Sequence, residues 1–181
     1  EYVASNREMF DLMFDSTFIN DVYPYRETDL DLLYSAPYLH SFFDNKEVFK
    51  VTKLKDRLTY HSDHDGARIA TRLSHPTDEQ LKLVGSVLVL TPAHVKLYAG
   101  DEIGIKGFTP FEPFKNKWFH STLASMAWDD SKNGGFTQSD DPVVPITDDY
   151  KTQNVARQNK SKDSLLNHYR ALLKLKNDYP Q

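Results

Sequence analysis

Within Leu58–Leu73, LTYHSDHDGARIATRL, five titratable side chains (His61, Asp63, His64, Asp65 and Arg68) fall inside eight residues, directly behind a short apolar run. Acids and imidazoles at this density admit three chemistries. A carboxylate such as Asp65, held at the end of a strand and kept ionised by an arginine three residues on, suits stabilisation of developing positive charge. Glycoside cleavage, with its oxocarbenium-like transition state, is one reaction that uses such a fixed anion. His61, Asp63, His64 and Asp65 could instead ligate zinc or manganese. The bland reading is a buried Asp–Arg pair and a hydrogen-bonded histidine that only hold a loop. A second acidic group, GDEIG with Asp101 and Glu102, follows another apolar run, and these two acids are expected to hold the loop and an arginine rather than to react.

The elements that must carry these groups are legible as periodic segments. FDLMFDSTF alternates at Phe10, Leu12 and Phe14 and predicts a strand ending near Asp15. Leu39, Phe42, Phe43, Val48 and Phe49 fall near helical spacing. RLTYH, residues 57–61, predicts a second strand, with the titratable cluster starting where it stops. Pro76, then Thr77 with Gln80 three residues later, forms a capping-box start for a helix through Leu81, Val84, Val87, Leu88 and Val89, which Pro92 ends. Residues 95–104 read as a third strand running into a glycine-punctuated loop. Residues 106–149 show no sustained period and read as loop with short elements. Leu165, Leu166, Tyr169, Leu172 and Leu173 trace a 3.6-residue stripe opened by Asp163 or Ser164. Strand and helix alternate, which is the order of a parallel α/β fold. In such folds chemistry collects at the carboxyl ends of strands, where both acidic clusters lie.

Composition narrows the classes. Twenty-two basic against twenty-six acidic side chains give a net charge of −4, so a nucleic-acid partner is not expected. No run reaches the roughly 18 apolar residues of a membrane helix, and no membrane partner is expected. Cysteine is absent, which removes disulfides, thiolate metal sites and a thiol nucleophile. Aromatic residues make up 13%, a content that suits ligands with flat, weakly polar faces such as sugars. The chain starts at Glu1 rather than Met, as expected of a segment inside a longer polypeptide.

HSDHDGAR resembles the segment at the end of the seventh barrel strand in glycoside hydrolase family 13, the α-amylase family, where Asn-His-Asp precedes an arginine. LYAGDEIG is similar to the eighth-strand segment, SMAWDDSKNGGFT to the Pro-Met-x-Trp-Asp and Gly-Phe-Thr stretch, and NVARQNKSKDSLLNHYRALLKLK to the run before and through the eighth barrel helix. The resemblance implies a partial (β/α)8 TIM barrel, roughly strands 6 to 8 with their helices. Residues 1–181 would form the C-terminal part of the catalytic domain, with its N-terminal half outside this chain. It also implies a retaining hydrolase or transglycosylase acting on α-glucosidic bonds of α-glucans or oligosaccharides, with carbohydrate as the partner. Asp65 would be the transition-state-stabilising carboxylate and Glu1 the general acid/base at the end of strand five. His64, Asp63 and Arg68 would bind or support substrate.

This chain departs from that pattern in places. Asp63 stands where asparagine is usual, setting a second acid beside Asp65; Leu123 stands where an arginine is usual, and Ser125 where proline is frequent. No segment matches the fourth-strand motif that supplies the nucleophilic aspartate, so the chain alone is expected to be inactive. Tyr98, Trp118 and Trp128 are each equally suited to sugar stacking and to core packing, and Asn154 and Gln158 to shaping a helix entry. No cofactor or resident metal is called for by these residues; calcium stays open for the intact enzyme, with no ligand set legible here. Two alternatives stay open: a non-catalytic barrel relative serving as a carbohydrate-binding or scaffold protein, and a metal-dependent hydrolase using the cluster from His61 to Asp65.

Overall fold

The computed structural model describes residues 13–15, 56–65, 67–73, 76–108 and 122–180. The expected helix around residues 39–49 lies outside these residues, as do Glu1 and Trp118.

Three strands, β1 (Met13–Asp15), β2 (Arg57–Thr59) and β3 (His94–Val95), form one parallel sheet in the order β1-β2-β3. Met13 is in register with Arg57, and Leu58 with His94. Parallel neighbours cannot be joined by a hairpin, and the β2-to-β3 crossover carries two helices. These are α1 (Ile69–Arg72) and α2 (Asp78–Leu90). Beyond β3 lie a 3₁₀ turn at Asp101–Ile103, a second turn at Lys132–Gly135, α3 (Val155–Lys160) and α4 (Leu165–Asp178).

Local chemistry sets the helix bounds. Thr77 and Gln80 make the reciprocal capping box expected of them: Gln80 N donates to Thr77 Oγ1 at 3.2 Å and Thr77 N to Gln80 Oε1 at 2.9 Å. Helix α2 ends at Leu90, two residues before Pro92. Ser164 caps α4, its Oγ accepting from Asn167 N.

The apolar faces of α2 and α4 meet, and with α1 they bury Ile69, Leu81, Val84, Leu165 and Tyr169 in one cluster. Leu165, Leu166, Tyr169 and Leu172, most of the stripe read from the sequence, are buried. Gly85 lets the two helices approach: a Cβ there would stand 2.7 Å from Tyr169 Cζ.

The third strand is shorter than its sequence predicts. Its ladder extends only to Lys96 N donating to Thr59 O at 2.9 Å, after which the backbone turns through Gly100 at φ 101°. Helices α1 and α3 are additions to the sequence reading, each being too short for a hydrophobic period to register. Asn154, expected at a helix entry, caps α3 by accepting from Arg157 N. Gln158 ties α3 to its surroundings, donating to Ile103 O and accepting from Leu166 N, both at 3.0 Å.

Candidate active site at the strand ends

Strand β2 stops at Thr59, two residues short of the predicted end at His61, and the titratable cluster follows at its carboxyl end. The structure sorts the cluster by depth. His61, Ser62 and Asp63 are buried, whereas the side chains of His64 and Asp65 are 72% and 83% exposed. His64 Nε2 lies 3.4 Å from Asp65 Oδ2. Asp63 Oδ1 accepts the backbone N–H of Asp65 at 2.9 Å, an Asx turn that fixes the backbone from which Asp65 projects. Asparagine offers the same acceptor oxygen, so the aspartate at 63 preserves this contact.

His61 occupies a different environment. Burial, reinforced by Arg72, depresses its imidazole to about 3, so it is neutral at physiological pH. Among the described residues no three acidic or imidazole groups gather in a metal-binding arrangement. The cluster is therefore split between a buried histidine and an exposed His–Asp pair, and the structure does not favour the metal-dependent reading.

Arg68 serves a different acid from the one the sequence reading paired it with. Its guanidinium is buried: Nη1 donates to Ala99 O at 2.8 Å and stands 3.5 Å from Asp101 Oδ1. It also stacks over Tyr98, 4.6 Å from the ring centroid. Support of Asp65 by Arg68 thus runs through the loop rather than through a direct contact, and the ion pair that Arg68 forms, with Asp101, joins the two strand-end loops. Asp101 and Glu102 play the structural roles expected of them, Asp101 facing the arginine and Glu102 Oε2 accepting from Gly100 N at 2.8 Å. Burial pushes the Asp101 carboxyl up to about 7, against the opposing pull of Ser62 and Arg68.

Ser62 was not legible as a site residue. Its hydroxyl bonds the Asp101 carboxylate and accepts from Ile69 N at 2.8 Å, satisfying the first N–H of α1. Its partners lie seven and thirty-nine positions away, and no sequence spacing signals them. Beside this bridge lies a cleft of about 530 Å³ walled by Arg68, Tyr98, Leu123, Ser125, Phe136 and Val143. Trp128 is half exposed, which removes the core alternative for it.

A parallel sheet with crossover helices and acids at its carboxyl ends defines the class: an α/β chain with a parallel sheet. In agreement, Bacillus licheniformis trehalose-6-phosphate hydrolase shares this fold with a TM-score of 0.75 at 18% identity, covering 93% of this chain and 36% of that one. Residues 2–181 match the family described as alpha amylase, catalytic domain, and the chain belongs to that family. The alpha-amylase SusG of Bacteroides thetaiotaomicron is 33% identical over 119 residues, 66% of this chain and 16% of its own length. An amino acid transporter heavy chain of Mus musculus is 33% identical over 97 residues, 52% of this chain and 14% of its own length. The chain thus spans under a fifth of either relative.

Proposed function

We propose that the protein carrying this chain is a retaining glycoside hydrolase or transglycosylase acting on α-glucosidic bonds of α-glucans or oligosaccharides. The described strands are then the sixth, seventh and eighth of the barrel. Asp65 carries the reading. It is exposed behind a parallel strand, its backbone is fixed by Asp63, and its segment is the one that resembles the family's stabilising carboxylate. In this role Asp65 faces the oxocarbenium-like sugar, and His64 donates to sugar hydroxyls. Asp63 and Arg68 support the pair from below. Glu1 is the proposed acid/base: it protonates the leaving oxygen while a nucleophilic aspartate outside this chain bonds to the sugar's anomeric carbon, and then takes a proton from the water that breaks this glycosyl-enzyme bond and frees the aspartate. The cleft along Tyr98 and Phe136, reached by Arg68 but lined by neither Asp65 nor His64, has the volume and aromatic lining of a neighbouring subsite for a small sugar unit.

The test is turnover of maltooligosaccharides by the protein carrying this chain. Asp65→Asn is expected to lower kcat on the order of 10²-fold with the fold intact, since a fixed charge is removed without loss of shape. Unchanged turnover rejects the assignment. Glu1→Gln is expected to slow substrates with poor leaving groups most, and equal turnover on good and poor leaving groups rejects that role.

A second reading, a non-catalytic relative, is favoured by the similarity to a transporter heavy chain. Leu123 where an arginine is usual adds to it. It expects the unmutated protein to bind saccharide without cleaving it.

A further inference from the structure

We propose that Asp101 is a positioning residue that holds both ends of the loop presenting Asp65, an inference that rests on the glycosidase reading above. The loop leaves the sheet at Ser62 and enters α1 at Arg68, and Asp101 contacts both residues. The Ser62 hydroxyl bonds its carboxylate, and Arg68 Nη1 lies 3.5 Å from Oδ1. All three residues are buried: Ser62 at 0%, Arg68 at 3% and Asp101 at 4% exposure. Between these fixed ends, His64 and Asp65 project into solvent.

Secondary contacts lock the clamp. Ser62 Oγ also accepts from Ile69 N, so both ends of the loop are joined to each other as well as to Asp101. Arg68 is fixed from two further directions, by the Ala99 carbonyl and the Tyr98 ring. Gly100 has its own reason to be glycine: besides its positive φ, a Cβ there would come within 3.2 Å of Arg68 Nη1 and 2.8 Å of Ile105 Cδ1. The loop after β3 is thereby shaped around the guanidinium, and the clamp transmits the position of one strand end to the other. Rigid support of this kind matters because a reacting group displaced by about 1 Å can lose orders of magnitude in rate.

The test compares Ser62→Ala, Asp101→Asn and Asp65→Asn, singly and combined, in the protein carrying this chain, by kcat and KM on maltooligosaccharides and by amide exchange. Ser62→Ala leaves the ion pair in place and keeps the test decisive if Asp101→Asn misfolds. Each clamp variant is expected to lower kcat roughly 10- to 100-fold with KM nearly unchanged, and to add little when Asp65 is already Asn. Exchange should accelerate at residues 63–65 and 67 while α2 and α4 stay protected. Full kcat in the clamp variants beside a crippled Asp65→Asn overturns this inference alone, as does a full additional loss in the Asp65→Asn background or unaltered exchange in the loop. Unchanged turnover in Asp65→Asn instead overturns the glycosidase reading, and the exchange result then judges the clamp by itself.

Discussion

Burial moves two neighbouring groups of the site in opposite directions along the pH axis. His61 is held neutral, its folded value of about 3 lying below the ordinary 6.5. The stability it contributes is complete above pH 6.5 and is lost as pH falls toward 3. Asp101 is raised from 3.8 to about 7 among Ser62, Arg68, Glu102 and Tyr169. The folded form therefore takes up a proton that the unfolded chain releases, and stability from this group falls as pH rises from about 4 to about 7. Between pH 4 and 6.5 the two slopes oppose. Asp101→Asn removes one of them, so its Tm is expected to drop more steeply on acidification than that of the parent. Thermal melts at half-unit pH steps check this, and parallel profiles would contradict it. Truncating Arg68 to Ala should be costlier than Asp101→Asn, about 3–5 kcal/mol by chemical denaturation, because it strips the buried Asp101 of its cation.

At the scale of elements, the contact between α2 and α4 supports the sheet from its helical side. Gly85→Ala tests two competing effects. Alanine favours a helix by about 1 kcal/mol over glycine, but its Cβ would meet the Tyr169 ring at 2.7 Å. The ring is buried and cannot move aside freely, so the clash should win by about 1–3 kcal/mol of destabilisation. Combining it with Tyr169→Leu should recover part of that loss in a urea melt; strict additivity of the two changes would argue against the packing account. The capping box at Thr77 is a more local matter. Thr77→Ala should cost about 1 kcal/mol and leave the strand-end loops untouched.

For the whole molecule, the described sheet has β2 in its centre, while β1 and β3 each have one neighbour among the described residues. A barrel gives every strand two neighbours. No segment of residues 1–181 matches the family motif that supplies the nucleophilic aspartate, so the chain expressed alone is expected to show no turnover of maltooligosaccharides, as read by release of reducing sugar. An active preparation would refute this expectation. This chain covers 36% of the hydrolase whose fold it shares.

The sequence by itself determined what repeats or sits close together. The stripe of α4, the capping box of α2, the alternation of strand and helix, and the crowding of acids after β2 all lie within a turn or two of chain, where spacing carries the physics. The family resemblance was legible for the same reason, being carried by short contiguous segments. Tertiary structure alone decided which acid faces Arg68, that Ser62 joins two loops, and that His61 is buried while Asp65, four residues later, stands in solvent. Those outcomes depend on the register of β2 against β3 and on the turn at Gly100, which bring residues some forty positions apart into contact. No local pattern encodes a distance of that kind.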